Sequence, residues 1–177
     1  MKGVLKKMHF EKVTYEQFRK DCVLPQEMTH SEQEMYLKGI YDGIRLPVRA
    51  TPGSAGYDFF VPQRTVLRPG VNYRIPTGIR CPMDPGWVLM LCPRSGLGVK
   101  YGTRLTNTVG VIDSDYAQAA NEGHIQVFMT AEKEVALEAG DRFCQGIFLR
   151  YGWTEDDSGS AEEQRTGGFG STNGGNA

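Results

Sequence analysis

A chain of 177 residues, 40% hydrophobic and 23% charged, carries enough apolar material for one domain with its own core. Its formal net charge of -1 argues against a broad nucleic-acid surface, which needs a clustered basic excess, but not against one nucleotide, for which a nest of amides and one or two arginines suffices. No apolar run approaches the roughly 20 residues a membrane helix needs, and residues 1–10 carry lysines without an apolar stretch, so no membrane span and no secretory signal are expected.

Residues 1–45 read as a helical extension. Thr14-Tyr-Glu-Gln17 and Ser31-Glu-Gln-Glu34 both have capping-box form, in which a hydroxyl and the third-following side chain satisfy free helix amides. Met35, Tyr36, Ile40 and Tyr41 then recur at helical spacing, with Gly43 as the expected C-cap. The extension is read as packing on the domain or on a neighbour, with docking to an unidentified protein partner as the alternative.

From residue 46 to 151 the pattern changes. Short runs of Val, Ile, Tyr and Phe are broken by Pro and Gly about every ten residues, as at Pro52-Gly53, Pro69-Gly70, Pro85-Gly86 and Gly140. That rhythm predicts an all-β sandwich or barrel. Leu89–Cys92 and Gly146–Leu149 read as buried strands, and His124–Met129 as a partly alternating one. Cys22, Cys81, Cys92 and Cys144 lie far apart without C-x-x-C spacing and read as reduced, mostly buried thiols of a cytoplasmic protein. Residues 152–177 are rich in Ser, Gly and acid and are expected to form a mobile tail. Arg165-Thr-Gly-Gly-Phe-Gly-Ser-Thr172 nevertheless sets an arginine, an aromatic and hydroxyls among glycines, as a segment closing over a ligand would.

Four further segments carry chemistry. Ala55-Gly-Tyr-Asp58 places a carboxylate after a glycine turn. Pro93-Arg-Ser-Gly-Leu-Gly98 follows a buried strand, where such a loop aims N–H groups and guanidinium donors at phosphate, although an ordinary turn reads the same way. In Asn107-Thr-Val-Gly-Val-Ile-Asp-Ser-Asp-Tyr116, Gly110 suggests a tight hairpin or close approach to a ligand. Asp113 and Asp115 fall on one side if the segment is extended, and one of them is placed to deprotonate a water; solvated or capping aspartates are the plainer reading. A metal site built from Asp113, Asp115, Glu122 and His124 is the minor alternative. Gly140-Asp-Arg-Phe-Cys-Gln145 reads as a turn into a strand, with Asp and Arg as a surface pair.

In this order and spacing, the five segments resemble the five motifs of the homotrimeric dUTP pyrophosphatase family, from about residue 46 to 172. The resemblance implies a distorted jelly-roll barrel with a C-terminal lid, and a homotrimer whose active sites are shared between subunits. It implies hydrolysis of dUTP to dUMP and pyrophosphate, which keeps uracil out of DNA and supplies dUMP for thymidylate synthesis. Uracil would lie against the hairpin of Asn107, Gly110 and Ile112 and the returning strand at Gln126, with deoxyribose on Tyr116 and Asp113 as the base. Arg94, Ser95, Gly96 and Gln145 would bind the phosphates, with Arg142 supporting Asp58. Mg²⁺ would sit on phosphates and water, with Asp58 at most in its outer shell. Phe169 would stack on uracil, beside Gly170, with Arg165, Ser171 and Thr172 toward the phosphates.

Three features depart from the pattern. The chain after Tyr116 is longer, over residues 117–123; Arg165 stands four rather than five residues before Phe169; and short members lack the extension. The fold relative dCTP deaminase is the nearest alternative enzyme, with Glu122 as the only residue suited to its water-activating role.

Overall fold

The computed structural model describes residues 8–24 and 27–156. In chain order these form β1 (Glu11–Lys12), α1 (Tyr15–Asp21), α2 (His30–Gly43), β2 (Val48–Arg49), β3 (Tyr57–Phe60), β4 (Thr65–Leu67), β5 (Tyr73–Pro76), β6 (Ile79–Arg80), β7 (Trp87–Pro93), α3 (Ser95–Tyr101), β8 (Arg104–Leu105), β9 (Gly110–Asp113), β10 (Gln126–Thr130), β11 (Val135–Leu137) and β12 (Arg142–Arg150). One turn of 3₁₀ helix covers Tyr116–Gln118.

The main sheet has the order β2-β3-β12-β7-β9, and a second runs β5-β10-β8; β4 pairs β11 and β1 pairs β6. Each of these strand pairings is antiparallel, as expected for an all-β, jelly-roll-like domain. Inward residues of every sheet meet in one core, including Phe59, Leu67, Ile75, Ile79, Leu89, Leu91, Met129, Leu137 and Phe143. Burial of such side chains contributes about 1.5–3 kcal/mol each.

Two strand expectations need correction. β12 is buried only in its first half: Phe143 and Cys144 are inaccessible, whereas Leu149 is 45% exposed. The strand outruns the layer that covers it, so the Gly146–Leu149 run reaches solvent. β10 is buried on both faces except at Phe128, because β5 and β8 flank it and the core and the N-terminal segment cover it. The four cysteines are free, with Cys81 and Cys144 buried and Cys22 and Cys92 half-buried. Burial pushes the Cys81 thiol up to about 12.

The N-terminal segment shares this core through Val13, Phe18, Leu37 and Ile44. Thr14 caps α1, accepting from Gln17 N–H at 3.2 Å, but the box read from the sequence does not close: Thr14 N–H goes to Glu122 and Gln17 Nε2 to Asp21. The box that starts α2 is Thr29/Glu32 and not Ser31/Glu34. Once Thr29 caps, each added residue gains a backbone bond, so Ser31 lies inside the helix. Glu34 instead meets Arg19 Nε of α1 at 3.3 Å. Gly43 is the last helical residue, with Ile44 as the cap.

The same segment grips the longer loop after Tyr116. Glu122 accepts from Thr14 N–H at 2.8 Å and Thr14 Oγ1 at 2.6 Å. Glu122 (φ 59°) and Gly123 (φ 71°) form the two left-handed corners of a turn closed by His124 N–H on Asn121 O at 3.0 Å. A Cβ at residue 123 would come within 2.5 Å of Ala117 Cα, so only glycine fits there. Glu122 is strained in this conformation, and its two bonds to Thr14 hold it.

His124 is fully buried. Its Nε2 accepts the Gly78 N–H at 2.8 Å, so Nδ1 carries the proton and donates to Asp21 Oδ2 at 2.5 Å. Burial lowers the His124 pKa from its ordinary 6.5, against the opposing pull of Asp21. A depressed histidine contributes stability that is complete above pH 6.5 and is lost as pH falls below it toward the folded value. Urea unfolding from pH 8 down to pH 5 is therefore expected to show a loss beginning near pH 6.5 in the native chain. His124→Gln should be less stable at pH 8 and show a flatter profile across that window.

Candidate active site

A cavity of about 260 Å³ opens between β9 and β10. Asn107, Gly110, Ile112, Tyr116 and Gln126 all line it, so five residues singled out in the sequence for one ligand meet at one place. Leu91, Leu105, Val109, Val111, Val127 and Phe128 complete the wall. These six carry no polar signature, and only strand pairing reveals them. Gly110 faces Leu91 across the ladder, and a Cβ there would lie 3.0 Å from the Leu91 side chain. A larger residue would crowd the wall.

The hairpin tip is tight. Thr108 N–H reaches Leu105 O at 2.9 Å, and Val109 N–H reaches Asn107 O at 2.7 Å. Thr108 has φ 67°, a costly conformation for a β-branched residue. The order of 1–3 kcal/mol stored in such a residue marks a backbone shaped for contact with something else. Tyr116 is buried at the other wall, its hydroxyl donating to His124 O at 3.0 Å and accepting from Asn121 Nδ2 at 2.8 Å.

A second group gathers where β7 ends. Asp58 on β3 is 6% exposed. Its Oδ1 meets Arg94 Nε at 3.2 Å, and its Oδ2 meets Arg142 Nη1 at 3.3 Å. The surface pair expected within Asp141-Arg142 is therefore replaced: Arg142 serves Asp58, while Asp141 accepts from Glu138 N–H at 2.8 Å. Arg94 precedes the short helix α3, with Ser95 and Gly96 as its first residues, whose N–H groups have no partner inside the helix. Gln145, paired with both Asp58 and Cys92, sends Nε2 to Pro93 O at 3.4 Å. An added Cβ on Gly56 would stand 2.5 Å from Gln145 Oε1, so the glycine turn makes room for this side chain.

The two groups are held apart. Asp113 ends β9 opposite Val88 at the start of β7, whereas Arg94 follows the end of β7. Six residue steps along the strand run from Val88 to Arg94, roughly 20 Å at the usual rise. Arg165, Phe169, Gly170, Ser171 and Thr172 lie outside the described residues.

Three sequence readings are overturned. Asp113 and Asp115 do not share an extended face, because the strand stops at Asp113 and Asp115 is helical ahead of the 3₁₀ turn. The four-ligand metal reading fails because Glu122 is taken by Thr14, and His124 by Asp21 and Gly78. Among the described residues no group of three or more His, Cys, Asp or Glu could hold an ion. Glu122 does not line the cavity, which removes the residue on which the deaminase alternative rested.

A family model described as dUTPase matches residues 42–173. The deoxyuridine 5'-triphosphate nucleotidohydrolase of Lactococcus lactis subsp. lactis (strain IL1403) is 42% identical over 133 residues, 73% of this chain and 89% of that one. The crystal structure of dUTPase from Streptococcus mutans superposes with a TM-score of 0.60 at 34% identity, covering 82% of this chain and 98% of that one. At 20% identity and a TM-score of 0.56, a mutant dUTPase from phage phi11 of S. aureus, solved with a structural Mg(II) ion, shares the fold; 64% of this chain and 88% of that one are covered. Among the described residues no helix is long and apolar enough to cross a membrane.

Replacing Asp58 by Asn would leave Arg94 and Arg142 facing each other without their shared anion. The arginines are 32% and 46% exposed, so solvent screens part of the effect. A loss of about 1–2 kcal/mol is expected in urea unfolding, well below that of a fully buried triad.

Proposed function

Because the chain belongs to the dUTPase family, we propose that it hydrolyses dUTP to dUMP and pyrophosphate, with Asp113 positioning the attacking water. The water oxygen forms a bond to the α-phosphorus as the bond from that phosphorus to the bridging oxygen of the β-phosphate breaks. The water proton passes to Asp113, and pyrophosphate leaves. The observation that carries this reading is the cavity gathering Asn107, Gly110, Ile112, Tyr116 and Gln126.

The nucleoside occupies that cavity, with uracil on the strained Asn107–Gly110 turn and deoxyribose on Tyr116. A backbone pattern that pairs with uracil leaves groups unpaired against cytosine, and this supplies discrimination. Arg94, Ser95, Gly96 and Gln145 hold the phosphates, with Arg94 braced by Asp58 and Arg142. Phe169 and Gly170 cover the base, and Arg165, Ser171 and Thr172 serve the phosphates. Both Asp58 oxygens already accept from arginines, so the residues fit Mg²⁺ only as an ion held by the substrate's phosphates and water, with Asp58 at most in its outer shell. Bound there, it neutralises phosphate charge and fixes the chain for displacement.

The separation of about 20 Å between Asp113 and the phosphate-binding group bears on assembly. A base must lie within a hydrogen bond, or one water, of the proton it takes. One chain that keeps these groups so far apart completes its site with a neighbour's residues, which supports a homotrimer with shared active sites.

Pyrophosphate release is to be measured with dUTP, dCTP, dTTP and UTP. Turnover of dUTP alone is expected, falling about 10²–10⁴-fold in Asp113→Asn without change in the far-UV spectrum. Equal turnover of dCTP, or an active Asp113→Asn, would sink the assignment. Assembly is tested separately. Inactive Asp113→Asn chains, refolded together with inactive Arg94→Ala chains, should regain turnover, because mixed trimers bring an intact Asp113 to an intact Arg94. Self-contained sites would stay dead on mixing.

A further inference from the structure

Polar contacts outside the reacting groups tie the nucleoside cavity to the N-terminal segment. Asp21, the last residue of α1, has a side chain 15% exposed. Its Oδ2 accepts from Gln17 Nε2 at 2.8 Å and from His124 Nδ1. Arg74 on β5 closes the set, donating from Nη2 to Asp21 O at 2.9 Å and from Nη1 to Gln126 Oε1 at 3.3 Å. A guanidinium only donates and a carboxylate only accepts. The Gln126 amide therefore turns its oxygen toward Arg74.

Gln126 is one wall of the cavity and Tyr116 is another. The Tyr116 hydroxyl is held by Asn121 Nδ2 and His124 O, both in the turn that α1 clamps through Thr14–Glu122 and Asp21–His124. The end of α1 thus meets both walls: the Asp21 carboxylate reaches Tyr116 through His124, and the Asp21 backbone carbonyl holds Arg74, which binds Gln126. We propose that Asp21 is a positioning residue for deoxynucleoside recognition: through His124 its carboxylate holds the Tyr116 wall of the cavity in its binding geometry. The N-terminal segment is then part of the specificity apparatus, acting on substrate binding and not on the displacement step. This rests on the assignment of the cavity to the nucleoside.

The test compares dUTP kinetics of Asp21→Asn and Asp21→Ala with Lys12→Ala. Lys12 also anchors the segment, through Nζ on Tyr41 O at 2.8 Å, but touches neither the turn nor Gln126. Asp21→Asn, nearly isosteric, removes the anion to which His124 Nδ1 donates and offers it a donor as well as an acceptor, so the ring loses its fixed partner. KM for dUTP should rise on the order of tenfold in both Asp21 variants, with kcat within about twofold and the preference for dUTP over UTP reduced. Lys12→Ala should lower the melting temperature and leave KM alone. His124→Gln should raise KM, and Asp21→Ala/His124→Gln should do no worse than the larger single change. A wild-type KM in folded Asp21→Asn overturns the proposal, as does an equal rise in Lys12→Ala or multiplication of the two single effects. If Asp21→Ala does not fold, Asp21→Asn decides alone. Val109→Phe, which fills the cavity, tests the underlying assignment: an unchanged KM there refutes the nucleoside site itself. A raised KM there with a normal Asp21→Asn refutes only the role of Asp21.

Discussion

The register of β7 is the constraint on which the site depends. Its start pairs with Asp113, its middle packs Leu91 against Gly110 at the cavity, and its end delivers Arg94 to Asp58. A ladder admits no partial slip, since a shift of one residue turns every side chain to the other face. With Leu89 and Leu91 buried on one face in the core, that shift would remove both from it. The distance between Asp113 and Arg94 is therefore as rigid as the sheet, and a lone chain has no small motion by which to close it.

Around that strand the polar groups are arranged by saturation. Asp58 has both oxygens engaged, His124 both nitrogens, and Glu122 serves the start of α1. Buried polar atoms left unpaired are expensive, so partners arrive from distant parts of the chain. Among the described residues only Arg80 Nε and Thr103 Oγ1 are buried side-chain atoms without a partner, and neither borders the cavity. The consequence is a cavity whose walls arrive already oriented, so that binding of a ligand there spends little on ordering them.

The N-terminal segment changes meaning in this light. From composition it is an appendage of two helices. In the fold it contributes a strand and four buried core residues, and it clamps the loop behind Tyr116. The lengthened loop and the extension are complementary: a turn with two left-handed corners is held from outside by the helix cap it also completes.

The sequence by itself determined the β architecture, the ordered set of motifs and most of the residues that meet at the cavity. Those signals are local, residing in turn chemistry at Gly110 and Gly56, in apolar runs such as Leu89–Leu91, and in the spacing of Asp113 from Tyr116. It misplaced the start of α2, because Thr29–Glu32 and Ser31–Glu34 carry the same local pattern and only helix propagation separates them. Tertiary structure alone decided that Glu122 and His124 serve the N-terminal helix and not a metal, and that Arg74 orients Gln126, while it bore out the pairing of Arg142 with Asp58 that the family resemblance implied. These partners are separated by 52 to 108 residues along the chain. Their pairing follows from strand register and from satisfaction of buried charge, which exist only once the sheets have formed.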